Sequence, residues 1–391
     1  MIDANTIKSL LKGVDVKWMY LKNVSEIGTG SSNRQDENEN GIYPFYVRSK
    51  NVLRATNYEF DEKAIIIPGE GGIGEIFHYI DGKYALHQRA YRISPILKEL
   101  NTKFLFYYMS EAFKKYILSK SVGATSVSIR KPMLEKFSIP LIPLDIQNKI
   151  VNILDTFTAL TTELTTELTT ELNARLKQYN YYRDKLLSFA EDEVEWKTLD
   201  EVGILIRGNG LQKKDFTEQG MPAIHYGQIY TFYKTFADQT KSYVSFDLAK
   251  KLRRAKYGDI LIAGTSENIE DVMKPLGWFG GDIVISGDMF TFRPNEKVDT
   301  KYLTYLLQTS NFKQFKTKYA QGTKVIRVKS ENFLKYVIPI PPLSKQKQIV
   351  EILDKFDTLT NSIAEGLPRE IELRQKQYEY YRNLLLDFPK S

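Results

Sequence analysis

Two kinds of residue pattern in this chain have spacings that could support chemistry, and the first is incomplete. Residues 69–74, GEGGIG, match the GxGxxG fingerprint of dinucleotide-binding proteins. The residues that follow, 75–80, have the pattern of a strand, whereas the fingerprint needs a helix N-terminus there to hold phosphates. A glycine-rich hairpin is the better interpretation. His78, His87 and His225 lack metal-ligand spacing. We therefore expect neither a catalytic centre nor a metal site.

The second pattern consists of short stretches in which Arg and Lys stand beside Gln, Ser, Thr, His and Tyr. In the major groove of DNA, Arg and Lys can bind guanine, Gln can bind adenine, and further cations bind phosphates. These stretches are therefore candidates for contact with DNA. In the first half they supply Tyr46, Arg48, Lys50, Arg54, His87, Gln88, Arg89, Ser126, Arg130 and Lys131. In the second half they supply Lys213, Lys214, His225, Tyr226, Gln228, Thr265, Ser266, Lys324, Arg327 and Lys329.

The composition is that of a globular protein, with 42% hydrophobic and 26% charged residues among 391. The net charge is +7, and the excess lies in residues 1–136 and 190–335, whereas 137–189 and 336–391 are close to neutral. A basic excess suits a polyanionic partner. The absence of cysteine excludes disulfides and Cys-ligated metals. Without a signal-peptide pattern or an apolar run of membrane-spanning length, a cytoplasmic protein is expected.

An internal repeat decides the predicted architecture. Residues 137–189 align without a gap to residues 336–388, at a constant offset of 199, and 25 of the 53 positions are identical. Each copy opens with two prolines, which favour an extended entry into the segment that follows. These prolines are Pro140, Pro143, Pro339 and Pro342.

After the prolines, each copy carries apolar residues at helical spacing, so we predict two long helices. Asp145 or Ser344 is expected to cap the start of its helix. Each helix is the natural partner of the other, in an antiparallel, coiled-coil-like stem; packing of each helix on its own lobe is the alternative. Residues 161–172 are three TTEL units, and their Thr content makes this segment dependent on a packing partner. In the second copy, residues 366–368, GLP, should break or kink the helix.

The remaining residues form two related lobes, which begin with VKW at 16–18 and VEW at 194–196. We predict strands at 64–67, 75–80, 259–263 and 289–292, and helical stretches at 102–118 and 300–319. The predicted fold class is α+β, with two homologous β-rich lobes separated by the two helices and related by a pseudo-twofold axis. The predicted domains are a first lobe at 1–136, a central helical segment at 137–189, a second lobe at 190–335 and a distal helical segment at 336–391.

This lobe–helix–lobe–helix order resembles the specificity subunit of type I restriction–modification enzymes over essentially the whole chain. The most specific features are the paired segments, IPLIPLDIQNKIVNILD at 139–155 and QYNYYR at 178–183, with their second copies. The patterns AIIIPGEGGIG at 64–74 and GDILIAG at 258–264, together with the TTEL units, support the resemblance.

The resemblance implies a non-enzymatic subunit whose lobes are target recognition domains, one for each half of an asymmetric, bipartite DNA target. The implied partners are double-stranded DNA, two methyltransferase (M) subunits docked on the helical segments, and restriction (R) subunits. No cofactor is expected on this chain, since S-adenosylmethionine belongs to the M subunit and ATP and Mg to the R subunit. Methylation of adenine or cytosine stays open. A related type II system and a coiled-coil adaptor that reads no DNA are the alternatives.

Overall fold

A computed structural model describes residues 4–72, 74–120, 128–362 and 365–389. The contacts divide the chain into two compact units. Unit 1 consists of residues 1–165 and 373–391, and unit 2 consists of residues 166–372. Each unit therefore contains one lobe together with parts of both helical segments.

In its described residues, the first lobe combines strands with three α-helices. Its strands are β1 (Lys17–Tyr20), β2 (Ser25–Thr29), β3 (Tyr43–Tyr46), β4 (Leu53–Ala55), β5 (Phe60–Pro68), β6 (His78–Leu86), β7 (Ala90–Pro95) and β8 (Ser138–Leu141), and its helices are α1 (Ala4–Leu11), α2 (Thr102–Ser119) and α3 (Lys131–Glu135). Six strands form one sheet in the order β2-β7-β5-β6-β3-β4, and β1 pairs with β8. The isoleucines of β5 are buried because this strand lies inside the sheet and α2 packs on it.

The second lobe has more and shorter strands. They are β9 (Glu195–Thr198), β10 (Gly203–Arg207), β11 (Phe216–Thr217), β12 (Met221–Ile224), β13 (Phe236–Ala237), β14 (Ser242–Val244), β15 (Arg254–Ala255), β16 (Ile260–Ala263), β17 (Thr265–Ser266), β18 (Pro275–Trp278), β19 (Ile283–Ile285), β20 (Met289–Pro294), β21 (Ile326–Arg327) and β22 (Val337–Ile340). Its helices are α5 (Leu199–Val202), α6 (Tyr226–Thr231), α7 (Phe246–Ala249), α8 (Thr300–Leu306), α9 (Ser310–Tyr319) and α10 (Ser330–Leu334).

The strand order repeats between the lobes. The order β10-β20-β16-β18 in the second lobe matches β2-β7-β5-β6 in the first, and β9 pairs with β22 as β1 pairs with β8. A second sheet, β11-β14-β12-β19-β15, and the short pair β17-β21 complete the second lobe. The predicted α+β class with two homologous lobes is confirmed.

The helical segments follow each lobe as predicted, and their difference is also as predicted. The central segment is one helix, α4 (Leu144–Leu186), of 43 residues, and the TTEL units lie inside it. The distal segment is two helices, α11 (Leu343–Asn361) and α12 (Leu367–Leu386), separated at the predicted break. Within the TTEL units, the hydroxyl of Thr165 donates to the carbonyl of Thr161 at 2.7 Å. This bond from side chain to backbone satisfies the hydroxyl of a residue type that otherwise disfavours helix.

Both units pair one part of α4 with a distal helix. In unit 1, the ring of Phe157 lies 5.4 Å from that of Tyr381, and the hydroxyl of Thr158 lies 3.0 Å from that of Tyr378, so α4 and α12 run antiparallel there. In unit 2, Phe356 of α11 stacks on Tyr182 of α4 at 5.7 Å. The predicted pairing of the helical segments is therefore confirmed within each unit. The alternative also holds in part, since the first turns of α4 enter the core of the first lobe.

A buried glutamine ties each helix to its lobe in the same way. Gln147 and Gln346 are fully buried, and each amide accepts one backbone N–H bond and donates to two carbonyls, at 2.7–2.9 Å. The partners are Asn101, Glu99 and Ile142 in unit 1, and Asp299, Lys297 and Pro341 in unit 2. The predicted capping by Asp145 or Ser344 is wrong. Both residues lie inside the first turn of their helices and not at the N-cap position. The side chains that bond the start of each helix to its lobe are those of Gln147 and Gln346.

Two sequence predictions of element bounds need correction. The strand predicted at 75–80 begins only at His78, because Gly72 and Gly74 adopt left-handed backbone and Ile76 N–H bonds to the carbonyl of Gly72 in a turn. The glycine-rich segment does connect two antiparallel strands, β5 and β6, as expected.

The helical stretch predicted at 300–319 is broken between α8 and α9. Thr309 caps α9 by accepting from Phe312 N–H, whereas α2 runs continuously through the equivalent place in the first lobe. The offset between the lobes rises from 198 at Tyr107 and Tyr305 to 199 at Phe113 and Phe312. One extra residue therefore separates the two helical faces, and a break absorbs it.

Among the described residues, no helix is long and apolar enough to cross a membrane.

Candidate nucleic-acid interface

Four separate stretches of the first lobe converge on one group, here called the first-lobe cluster (Arg48, Glu70, His87, Arg89 and Ser128). Glu70 follows β5 and forms ion pairs with Arg48 at 2.9 Å and Arg89 at 3.4 Å. Its backbone also pairs with Ser128. The carboxylate thus holds two half-exposed guanidinium groups side by side. Each guanidinium keeps further N–H donors for a base edge or a phosphate.

His87 is a neutral hydrogen-bond donor in this cluster. Burial lowers its pKa, and the charges of Arg48 and Arg89 lower it further. Its Nδ1 accepts from the backbone N–H of Arg89 at 3.0 Å. The ring proton therefore lies on Nε2, which can donate to an acceptor such as a base carbonyl.

The other predicted residues of the first lobe have varied surroundings. Arg130 and Lys131 are exposed and follow the cluster directly along the chain. Gln88 donates to the side chain of Asn33. Arg54, on the edge strand β4, donates to the backbone carbonyl of Ile42. Lys50 is exposed, and its charge helps to lower the pKa of Glu75.

Besides His87, which is 8% exposed, two predicted residues of the first lobe contribute no exposed side chain to the described surface. Tyr46 is 6% exposed, between the rings of His78 and Tyr84, and its backbone carbonyl accepts from His87 N–H. It supports the cluster from below. Ser126 lies outside the described residues.

The second lobe has a group of different composition, here called the second-lobe cluster (Tyr226, Thr265, Ser286, Asp288 and Arg327). Arg327 pairs with Thr265 through the strands β17 and β21, and its guanidinium lies 3.9 Å from the carboxylate of Asp288. The hydroxyl of Ser286 accepts from the backbone N–H of Tyr226 at 3.1 Å. A cavity of about 240 Å³ opens beside Thr265 and Arg327, and its lining includes Arg207 and Lys329.

The remaining predicted residues of the second lobe divide into structural and exposed ones. His225 caps α6 by accepting from Gly227 N–H, and Gln228 bonds to His225 N–H and to the hydroxyl of Ser242. Ser266 is buried, and its hydroxyl accepts from Asn268 N–H. Three lysines are exposed: Lys213, Lys214 and Lys324.

The histidine of this lobe is also held neutral. Burial lowers the pKa of His225, and the nearby charge of Lys213 lowers it further, against the opposite effect of Asp288. Since its Nδ1 accepts from backbone, Nε2 is again the donor.

The two clusters occupy the same place in their lobes. Gly69 N–H bonds to the carbonyl of Arg89 at 2.9 Å, and Gly264 N–H bonds to that of Asp288 at 2.8 Å. The residue after each glycine forms an antiparallel backbone pair with a residue near the end of its lobe. Glu70 pairs with Ser128, and Thr265 pairs with Arg327. Equivalent positions therefore carry Glu and Thr, Arg and Asp, Ser and Arg. Thr265 is buried, so the difference in surface charge comes from Glu70, from Arg89 against Asp288, and from Arg327.

Glu70 and Asp288 are the acidic members that the sequence did not reveal, because cations and amides are the residue types expected at DNA. The signal for Glu70 is the strand–glycine pattern that precedes it, which also precedes Thr265. A carboxylate at such a position orients the guanidinium groups that pair with it. An isolated arginine on a loop has no such acceptor to orient it.

A second pair of equivalent surfaces lies where each helical segment returns to its lobe, and we call these the twin grooves. The groove of unit 1 encloses about 870 Å³ and that of unit 2 about 810 Å³. Each has a tryptophan whose indole N–H bonds to a backbone carbonyl, at 3.1 Å for Trp18 and 3.4 Å for Trp196. Each also has a largely exposed tyrosine, Tyr380 at 55% and Tyr181 at 60%. Apolar side chains held open at both copies are suited to binding protein.

The sequence matches a family described as the type I restriction modification DNA specificity domain, over residues 13–174 and 191–373. The chain therefore belongs to this family, and the resemblance seen in the repeated segments is confirmed. Its role is DNA specificity in a type I system, and it is not an enzyme.

The relatives agree over the whole length. The chain is 33% identical to the EcoR124I/EcoR124II specificity subunit, a type I restriction enzyme subunit of Escherichia coli, with 100% of this chain and 98% of that protein covered. It is 30% identical to the type I EcoprrI specificity subunit of Escherichia coli, with 93% of each covered. A chain from a structure of type I R-M complex assembly and conformational transition matches with a TM-score of 0.64 at 13% identity, covering 95% of this chain and 97% of that one. The last likeness concerns the fold alone.

Proposed function

We propose that this chain reads an asymmetric, bipartite DNA target, the first-lobe cluster contacting one half-site and the second-lobe cluster the other. The observation that carries the proposal is that both clusters occupy the same place in a repeated fold while their side chains differ in charge. Two arginines around Glu70 suit guanine, whereas Arg327 beside the carboxylate of Asp288 presents a different set of donors and acceptors. Unlike half-sites follow from unlike surfaces.

The predicted residues outside the clusters have a supporting part in this proposal. Arg130, Lys131 and the exposed lysines of the second lobe neutralise phosphates, and this supplies affinity without sequence information. The buried members hold loops in place. The sequence information then comes from the side chains that face the groove.

The chain is proposed to bring two M subunits to the DNA, one at each of the twin grooves. Support comes from the repeat itself, since Tyr181 and Tyr380 are aligned, aromatic and exposed in both copies. Because the same groove occurs in both units, it suits the binding of two copies of one partner. Each M subunit holds S-adenosylmethionine and extrudes its target base for methylation, adenine or cytosine. R subunits, which hold ATP and Mg, complete the assembly, and this chain holds no cofactor.

Exchange of the first lobe tests the two-reader proposal. Residues 1–136 are replaced by the first lobe of another family member, and the host methylome is sequenced. We expect one half-site to change completely and the other to stay the same. If both half-sites change together, the lobes do not read independently.

Paired variants test the docking sites. Tyr181→Ala and Tyr380→Ala should each reduce the number of bound M subunits from two to one, measured by mass photometry of the purified complex. The double variant should bind none. Leu373→Ala, at another exposed apolar residue, is the control and should keep two. Unchanged stoichiometry in the double variant would exclude the twin grooves as docking sites.

A further inference from the structure

Unit 2 contains a basic cavity away from the residues of the second-lobe cluster. It encloses about 370 Å³ and is lined by the segment before β13, the loop before β18, the turn between α8 and α9, helix α9, and residues of α4 and α11. Five cations line it, and they are Arg183, Lys234, Lys274, Lys313 and Lys316. Glu270 and Asp271 are the carboxylates of the lining, so the cations outnumber the anions.

Lys316 is the unusual member of this cavity. It is 6% exposed, and its Nζ donates to the carbonyls of Glu270 at 2.7 Å and Val272 at 2.8 Å. An ammonium group has three donors, so one is left for the cavity. Burial is the main cause that lowers the pKa of Lys316 to about 8. The charges of Lys313 and Lys274 act in the same direction, and those of Glu270 and Asp271 oppose it. A charge desolvated to this degree is costly unless something pairs with it.

The neighbouring cations differ in what neutralises them. Lys313 pairs with Glu270 at 2.5 Å, and Arg183 pairs with Asp184 at 3.0 Å. Lys234 and Lys274 form no ion pair with the described residues. Burial lowers the pKa of Lys274 against the opposite effect of the Asp271 charge, and the charge of Lys234 lowers it as well. Lys234, Lys274 and Lys316 thus surround space without a carboxylate bonded to any of them.

The equivalent place in unit 1 is apolar. The ring contacts of Phe312 with Tyr336 at 5.0 Å repeat those of Phe113 with Phe137 at 5.2 Å, and this register aligns Lys316 with Ile117. Ile117 is fully buried. The fold therefore accepts an isoleucine here, and the lysine of unit 2 needs another explanation.

The loop before β18, which carries the lining residues Glu270, Asp271 and Lys274, is also strained. Met273 is the one non-glycine residue of the described ranges with positive φ, at 59°, and it is fully buried. Its left-handed backbone is bounded by the bond of Lys274 N–H to the carbonyl of Asp271. Such a conformation costs energy and persists where surrounding structure enforces it. Here it fixes the positions of Asp271 and Lys274 at the cavity.

We propose that this cavity is a binding site for a phosphate group, held by Lys234, Lys274 and Lys316. A doubly charged oxyanion accepts from all three ammonium groups and offsets their mutual repulsion. The cavity volume accommodates one phosphate or a pyrophosphate. The phosphate has two sources, a free anion or the backbone of bound DNA.

Calorimetric titration of the full-length chain with pyrophosphate tests the site. We expect one equivalent to bind, and Lys274→Gln and Lys316→Ile each to weaken binding by about tenfold or more, because a hydrogen bond to a charged group is typically worth that factor. Lys316→Ile should fold, since unit 1 has Ile117 in the same place. Lys98→Gln, which removes an equal charge from unit 1, is the control and should bind as the natural chain does.

The source is distinguished by DNA binding in the assembled complex. For a DNA phosphate, pyrophosphate competes with a target duplex, and Lys274→Gln lowers the slope of log affinity against log salt by about one. For a free anion, the duplex affinity and its salt dependence are unchanged in Lys274→Gln. No pyrophosphate binding by the natural chain, or equal binding by Lys274→Gln, would overturn the proposal. Neither result bears on half-site reading, which the lobe exchange measures.

Discussion

The two units of this chain repeat their internal bonds closely, whereas their candidate DNA-reading clusters differ. Asp155 accepts from Tyr107 at 2.6 Å and Asp354 accepts from Tyr305 at 2.7 Å, and the buried glutamines agree within 0.2 Å. By contrast, the exposed Arg89 of the first lobe corresponds to the half-exposed Asp288 of the second, so a cation is replaced by an anion. A duplicated fold can therefore keep the joint between lobe and helix while its reading surfaces change independently.

The largest expected effect tests whether the shared bonds matter equally. Gln147→Ala and Gln346→Ala each leave one N–H and two carbonyls without their partner, at a cost of about 2–4 kcal/mol in the stability of the affected unit. Hydrogen exchange, resolved by peptide, measures each unit separately. Lys149→Ala and Lys347→Ala, at exposed positions of the same helices, are the controls. If only one of the two variants loses stability, the two glutamines contribute unequally to stability although their hydrogen bonds have the same geometry.

The next effect concerns the surfaces that differ. Arg89→Ala should weaken specific binding by about 1–3 kcal/mol and relax the first half-site alone, and Arg327→Ala should do so at the second half-site. Binding of the assembled complex to duplexes with single substitutions measures both. Lys98→Ala should change neither. Relaxation of the same half-site by both variants would contradict independent surfaces.

Phosphate contacts should give a smaller effect without sequence dependence. Replacing Arg130 and Lys131 with Ala should lower the slope of log affinity against log salt by about two, because each phosphate contact contributes about 0.9. The second-lobe pair, Lys324 and Lys329, should behave alike. An unchanged slope for Arg130→Ala/Lys131→Ala would place that pair away from DNA.

The smallest effect is geometric. Four helical residues add about 6 Å and a net rotation of roughly 40°, and one DNA base pair rotates by roughly 34–36°. Deleting residues 165–168, one TTEL unit, should shorten the spacer between the half-sites by one base pair and keep both half-sites. Rotation should decide, since a lobe on the wrong side of the duplex reaches no groove edge. The methylome of the deletion strain gives the spacing, and an unchanged spacer would show that these units do not set it.

The architecture was predictable because the repeat is long and ungapped, and the break at 366–368 because Gly and Pro act locally. The end of the turn before His78 and the break at Thr309 were not, since both depend on a register that only packing fixes. The candidate contacts were predictable as stretches rather than as residues. Sequence shows that Tyr46 and Gln228 are polar, but their burial or internal bonding comes from the sheet and from α6.

The segmented make-up of unit 1 has a consequence for biosynthesis. Residues 373–389 place Leu385, Leu386 and Phe388 in the core of the first lobe, and Trp18 bonds to the carbonyl of Pro389. These residues leave the ribosome about 200 residues after residue 165, whereas unit 2 is continuous in the chain. Unit 2 can therefore complete its fold first, reversing the usual order in which N-terminal domains finish earlier. Until residues 373–389 are synthesised, the apolar core of the first lobe that they cover stays exposed. During this period we expect the nascent chain to depend most on chaperones.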